Sequence, residues 1–293
     1  MGMSIEIQRL AAFPFQGTGG NPAGVVLSAE GLEDSQMQEL AVRVGYSETI
    51  FVTSQNGSRL RVRYFSPEME VDFCGHATIA AGVALGEANG AGEYVFETNT
   101  GDVHLRVFSG TDGFEAELTS TTGRVSKIET AELRALLEAL GWSESVLSKE
   151  FKPLIANAGN SHPVLVMDSV ETLRNLVYDF EALKKLCREN NWPTVQLVFQ
   201  ESASVWLSRN PFAFGGVYED PATGSAAAAL GVYLRETGNA RPDTTFTIKQ
   251  GFDMGQPCLL TVNVGRLECS VSGTAVRIDG DGSAFTRLAK TGD

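Results

Sequence analysis

The chain has 293 residues, 43% of them hydrophobic, and carries 23 Lys and Arg against 36 Asp and Glu, a formal net charge of −13. That is core material for two domains of roughly 140 residues each, and the acidic balance argues against a nucleic-acid backbone or an anionic membrane surface as partner. No apolar run approaches the ~20 residues of a membrane-spanning helix, and MGMSIEIQRLAAFPF lacks a basic start followed by a continuous apolar stretch, so a cytoplasmic protein is expected.

In chain order, alternating or short apolar runs predict strands over 5–10 and 23–27, an amphipathic helix over 34–44, and strands over 49–52 and 60–65. An alanine-rich helix follows over 77–85, then strands over 94–98, 103–108 and 114–118, and a helix over 130–139. Strands over 152–156 and 163–167 precede helices over 170–177 and 180–189, then strands over 195–200 and 204–208. A second alanine-rich helix covers 226–234, and strands over 245–249, 258–264, 267–271 and 275–278 end the pattern. The two alanine-rich helices have small or apolar residues on every side, leaving no solvated stripe, so both must be buried.

Those helices belong to an internal duplication. Aligning Gly82-Val83-Ala84-Leu85 with Gly231-Val232-Tyr233-Leu234 gives an offset of 149 residues and places Gly75 opposite Gly224 and His76 opposite Ser225. GGNPAGVVL (19–27) and AGNSHPVLVM (158–167) recur at similar spacing. The expected fold is α+β, with two pseudo-symmetric lobes over 1–122 and 123–293. Each lobe is a strand-rich, barrel-like sheet around a central buried helix; the last strand packs back on the first lobe, and a cleft lies between the two.

Ionisable and nucleophilic side chains collect at the two helix starts: Asp72, Cys74 and His76 at one, Glu219, Asp220, Thr223 and Ser225 at the other. Helix N-termini present unpaired N–H groups with partial positive charge, so an anion pocket is expected there. The four cysteines (Cys74, Cys187, Cys258, Cys269) form no CxxC pair, and the histidines (His76, His104, His162) are far apart in sequence. Spacing therefore signals neither a disulfide framework nor a metal site. GTGGNPAG (17–24) has Pro22 where a dinucleotide fingerprint needs its third glycine, there is no GxxxxGK, and neither Gly224-Ser225 nor Gly159-Asn160-Ser161 fits GxSxG.

Four segments, GNPAGVVL (20–27), SETIFV (47–52), FCGHATIAA (73–81) and YEDPATGSAAAAL (218–230), resemble the phenazine-biosynthesis isomerase-like (PhzF-like) family. That family shares its fold with diaminopimelate epimerase. The resemblance implies a homodimeric isomerase without cofactor or metal that acts on a small carboxylate-bearing metabolite. It gives Glu48 the acid/base role, sets His76 and Asp220 beside the substrate, and makes Gly75, Gly224 and Ser225 pocket lining. A base that removes a weakly acidic C–H proton must be partly desolvated, and Glu48 at the entrance to the apolar run TIFV suits that task.

Two alternatives stand beside it. Epimerases of this fold use two thiols; Cys74 matches one position, but Asp220-Pro221-Ala222-Thr223-Gly224 offers none at the other, so Cys74 is read first as a packing residue. A member that binds a small molecule without catalysis is the third reading, since fold does not fix function. His162 is read as supporting the turn before Pro163.

Overall fold

A computed structural model describes residues 4–278 and 284–287; the last part of the expected second domain lies outside them. The chain divides into two units, one reaching Leu118 and resuming at Ser272, the other spanning Thr119–Val271. The fold is mixed, with a strand barrel and few helices.

In the first unit β1 (Ser4–Ala12) pairs antiparallel with β2 (Asn21–Val26). Helix α1 (Asp34–Val44) then carries the chain to β3 (Glu48–Asn56), parallel to β2. β4 (Arg59–Phe65) is antiparallel to β3, and the two-residue β5 (Glu70–Val71) returns along β4. Helix α2 (Gly75–Asn89) crosses to β6 (Gly92–Thr98), parallel to β4, after which β7 (Gly101–Gly110) and β8 (Gly113–Thr119) continue antiparallel. A capping box between Glu33 and Gln36 starts α1, whose Met37, Leu40, Ala41 and Val44 pack on Ile5, Ile7, Val26, Phe51 and Phe65.

The second unit opens with β9 (Arg124–Lys127) and helix α3 (Thr130–Ala139). β10 (Leu154–Asn157) pairs antiparallel with both β9 and β11 (Ser161–Val166). Helices α4 (Val170–Arg174) and α5 (Phe180–Asn190) lead to β12 (Gln196–Ser202), parallel to β11, and β13 (Val205–Pro211) runs antiparallel to β12. The two-residue β14 (Glu219–Asp220) returns along β13; α6 (Gly224–Glu236) then leads to β15 (Thr244–Gln250), parallel to β13, and the antiparallel β16 (Cys258–Val264). Leu136, Leu137, Leu183 and Cys187 of α3 and α5 pack against Leu165, Trp192 and Leu197. β17 (Cys269–Arg277) begins in this unit; its later residues belong to the first, where the strand pairs with β8 and, antiparallel, with β1, and β18 (Ala284–Arg287) lies against the start of β1.

The succession antiparallel, parallel, antiparallel, parallel, antiparallel from β1 to β7 recurs from β10 to β16, with α2 and α6 at the same step. Residues 76–86 of α2 and 226–234 of α6 are all buried, as their all-round apolar character requires. A matching pair of glycines, one in each helix, permits close approach to the sheet. A Cβ at Gly82 would lie 2.7 Å from Ala116 Cβ, and one at the matching Gly231 would lie 2.9 Å from Cys269 Sγ.

Three local expectations change. The helix expected over 170–177 stops at Arg174, because the chain turns at Asn175 and leaves Val177 76% exposed with no core to join. The strands expected over 267–271 and 275–278 are one strand, β17. The short β5, β9 and β14 are additions, too brief to carry a period in sequence. Among the described residues no helix is long and apolar enough to cross a membrane.

Candidate active site

In the first unit, Glu48 is the first residue of β3, in register with Ala23 of β2. Cys74 is the N-cap of α2, and Gly75 and His76 are its first two residues. Strand start and helix start meet here: His76 Nε2 is 3.4 Å from Glu48 Oε2 and 3.4 Å from Ser47 Oγ. Cys74 Sγ is 3.3 Å from His76 Nδ1 and 3.6 Å from Glu48 Oε2. The imidazole thus has a thiol at one nitrogen and a carboxylate at the other. Side-chain exposure is 8% for His76 and 16% for Glu48, so the cluster is largely dry while the carboxylate keeps a path to solvent. The Thr78 N–H and hydroxyl both donate to the Cys74 carbonyl, and Tyr64 braces that hydroxyl at 2.7 Å, which fixes the helix start.

In the second unit, Asp220 ends β14 opposite Asn210 of β13. The Thr223 hydroxyl donates to Asp220 Oδ2 at 2.6 Å, and Gln250 Nε2 donates to the Asp220 carbonyl at 2.7 Å and to Thr223 Oγ1 at 3.1 Å. Gln250 Oε1 in turn accepts from the Thr223 N–H at 3.3 Å. The turn after Gln250 requires glycine: Gly251 has φ +77, and a Cβ there would lie 2.2 Å from the Gln256 carbonyl oxygen. A buried ion pair, Arg209 with Glu219, anchors the residue before Asp220.

Ser225, the second residue of α6, lies 3.1 Å from His162 Nε2. His162 is fully buried, and that burial pushes its pKa down to about 4, so the ring is neutral near pH 7. Its Nδ1 is 3.2 Å from the Thr194 carbonyl oxygen. A carbonyl can only accept, so Nδ1 carries the proton and Nε2 accepts from the Ser225 hydroxyl. With its proton given to Nε2, the Ser225 oxygen keeps its lone pairs to accept from an N–H or O–H group. Buried hydrogen bonds continue behind it from Thr194 through Asn210 and Ser208 to Gln196. Gln196 is in register with Val164 of β11 as Glu48 is with Ala23, so the second unit carries an amide where the first carries a carboxylate. Gly224 starts α6 with no atom within 4 Å of where a Cβ would stand, so packing does not demand glycine there.

The profile of the family described as phenazine biosynthesis-like protein matches residues 10–287. The chain belongs to that family. An uncharacterized isomerase of Clostridium acetobutylicum is 33% identical over 275 residues, covering 88% of this chain and 90% of that one. The trans-2,3-dihydro-3-hydroxyanthranilate isomerase of Pseudomonas fluorescens is 30% identical over 294 residues, covering 97% of each. The crystal structure of a phenazine biosynthesis protein of the PhzF family from Bacillus anthracis superposes with a TM-score of 0.85 at 23% identity, covering 98% of this chain and all of that one. The protein is an isomerase of the phenazine biosynthesis-like family.

The structure brings Glu48, Gly75 and His76 together in the first unit and Asp220, Gly224 and Ser225 together in the second. Sequence reasoning missed two things. Cys74, read as packing, touches both Glu48 and His76; its position two residues before His76 was the available signal. His162, read as a turn residue, orients Ser225 from 63 positions away, and the matching place in the first unit, Asn21, also precedes a proline.

Proposed function

We propose that the protein is a proton-transferring isomerase of a small carboxylate-bearing metabolite, with Glu48 as acid and base. Its carboxylate takes a proton from one carbon, the electron pair spreads into the substrate's conjugated carboxylate or carbonyl, and the carboxyl group, its proton partly exchanged with solvent, returns a proton to another carbon. Overall no atom is gained or lost. The observation that carries this reading is the contact of a partly buried Glu48 with His76 at 3.4 Å, at the start of a buried helix. His76 holds the carboxylate in place, and the first N–H groups of α2, at Gly75 and His76, supply preorganised donors for developing negative charge, each worth about 3 kcal/mol in a transition state. Asp220, Gly224 and Ser225 are the binding set of the second unit: Ser225 accepts from an amine or hydroxyl, and Asp220 favours a substrate that carries such a group. The pseudo-symmetric two-lobe arrangement and a homodimeric assembly belong to the same proposal.

The substrate named for the P. fluorescens relative is the first to try, in deuterated water, with deuterium incorporation followed by mass spectrometry. Glu48→Gln lowers incorporation by about 10²–10⁴-fold while binding is retained. Unchanged turnover in that variant removes Glu48 from the mechanism, and binding without exchange by the wild type leaves a binding protein. The second reading, a thiol-dependent epimerase, draws on Cys74 Sγ lying 3.3 Å from His76 Nδ1; loss of activity in Cys74→Ser with Glu48 dispensable selects it.

A further inference from the structure

A threonine at an N-cap ordinarily turns its hydroxyl back to accept from the second or third N–H of its own helix. Four helices of the chain are capped by side chains in this way: α1 and α3 open on capping boxes, and Ser169 and Asp179 accept from the Thr172 and Ala182 N–H groups at the starts of α4 and α5. Thr223, the N-cap of α6, is suited to the same task, yet its hydroxyl makes no bond to its own helix. It donates instead to Asp220 Oδ2 at 2.6 Å and accepts from Gln250 Nε2 at 3.1 Å. The capping side chain of the helix that begins with Gly224 and Ser225 is thus drawn elsewhere.

Gln250 does the drawing. It ends β15, in register with Ser208 of β13 on one side and Cys258 of β16 on the other, and its side chain is buried. Its partners fix which way the amide faces. The Asp220 carbonyl only accepts, so Nε2 points there at 2.7 Å, and the Thr223 N–H only donates, so Oε1 points there at 3.3 Å. The second Nε2 hydrogen then meets Thr223 Oγ1, which leaves the hydroxyl proton for Asp220. Two donors and an acceptor on one neutral planar group belong to Asn and Gln alone, so few residues could form this clamp.

We propose that Gln250 is a positioning residue: by holding the Thr223 hydroxyl against the Asp220 carboxylate, it fixes that carboxylate's rotation and leaves the first N–H groups of α6 to the substrate. The role rests on the function proposed above, in which Asp220, Gly224 and Ser225 bind the substrate. Gln250 touches no reacting atom, so its loss acts on binding rather than on proton transfer by Glu48, and it appears in KM while kcat is retained. A clamp that served stability alone would lower the melting temperature and the yield of active protein at an unchanged KM.

Turnover of the substrate named for the P. fluorescens relative is measured on the full chain for Gln250→Met, Thr223→Val and the double variant. Each single substitution raises KM by about 10-fold or more with kcat within about 3-fold of wild type. The double variant is worse than the poorer single one by less than about 3-fold, because both substitutions act through one hydroxyl. Thr223→Ser keeps that hydroxyl and restores KM to within about 3-fold of wild type; with Thr223→Val it decides the matter should Gln250→Met fail to fold. The clamp is also read without ligand, by amide hydrogen exchange followed with NMR: in Gln250→Met the Thr223 N–H exchanges about 10-fold faster or more relative to the β15 amides. A KM unmoved in Gln250→Met or in Thr223→Val, effects that multiply in the double variant, or unchanged Thr223 exchange overturns the proposal. Wild-type protein that binds the substrate in calorimetry without turning it over ends the isomerase reading alone, and Kd then replaces KM in the same comparison.

Discussion

Replacing Arg209 with methionine tests whether a buried ion pair holds the segment that carries Asp220. Arg209 Nε lies 3.0 and 3.2 Å from the two Glu219 oxygens, and Nη1 donates to the Leu173 and Arg174 carbonyls at 3.3 and 3.0 Å. The two side chains are 9% and 3% exposed. Methionine keeps much of the volume and removes every donor, leaving Glu219 with an uncompensated buried charge and two carbonyls without this partner. Removal of one member of a buried pair costs about 3–5 kcal/mol. The first unit holds a matching pair, Arg63 with Glu70, again linking the strand before the short return to the return itself, but its side chains are 18% and 28% exposed. Solvent screening reduces the loss expected for Arg63→Met to about 1 kcal/mol. All three tryptophans, Trp142, Trp192 and Trp206, lie in the second unit, so denaturant unfolding followed by their fluorescence reports on Arg209→Met, and circular dichroism reports on both variants. Arg209→Met together with Glu219→Leu recovers most of the loss, because no charge stays buried. A loss below about 1 kcal/mol for Arg209→Met, or one for Arg63→Met that equals it, refutes the reasoning.

Two further outcomes follow from the same geometry. Burial holds the folded-state pKa of His162 at about 4, below the unfolded value near 6.5, so the unfolded chain binds the proton first as pH falls. The contribution is intact above about pH 6.5 and is lost progressively down to about pH 4, for a total of about 3 kcal/mol. His162→Gln lacks this component, and parallel stability–pH curves for the variant and the wild type would contradict the neutral buried ring. Gly231→Ala brings a methyl to 2.9 Å from Cys269 Sγ and 3.1 Å from Val262 Cγ1 and costs about 1–3 kcal/mol. Gly224→Ala meets no atom within 4 Å and changes stability by less than about 1 kcal/mol, yet it weakens substrate binding. Equal stability losses at the two glycines, read by denaturant melts, would show that the crowding at Gly231 had been misjudged.

Much of the fold was legible because its signals are local. Helices over 34–44 and 130–139 announced themselves by period, and both alanine-rich helices by having no polar side. The offset of 149 residues set Gly75 opposite Gly224, ahead of helices expected from 77 and 226, and both helices begin at those glycines. What escaped depends on partners distant in sequence. Nothing near His162 reveals that Thr194 and Ser225 will enclose it, and Cys74 lies 26 residues from the carboxylate it touches. Two-residue strands such as β5 and β14 arise from pairing with a longer neighbour, and so leave no periodic trace.

The amide at Gln196 has a stereochemical corollary. Where Glu48 can accept a hydrogen, the corresponding residue of the other half cannot at neutral pH, and Thr223 stands where Cys74 has its thiol. If Glu48 is the sole carrier, abstraction and redelivery use one side of the planar intermediate. The rearrangement is then suprafacial, and part of an isotopic label on the starting carbon reappears on the product of the same molecule. Two ancestrally equivalent halves would in this way yield one-sided chemistry.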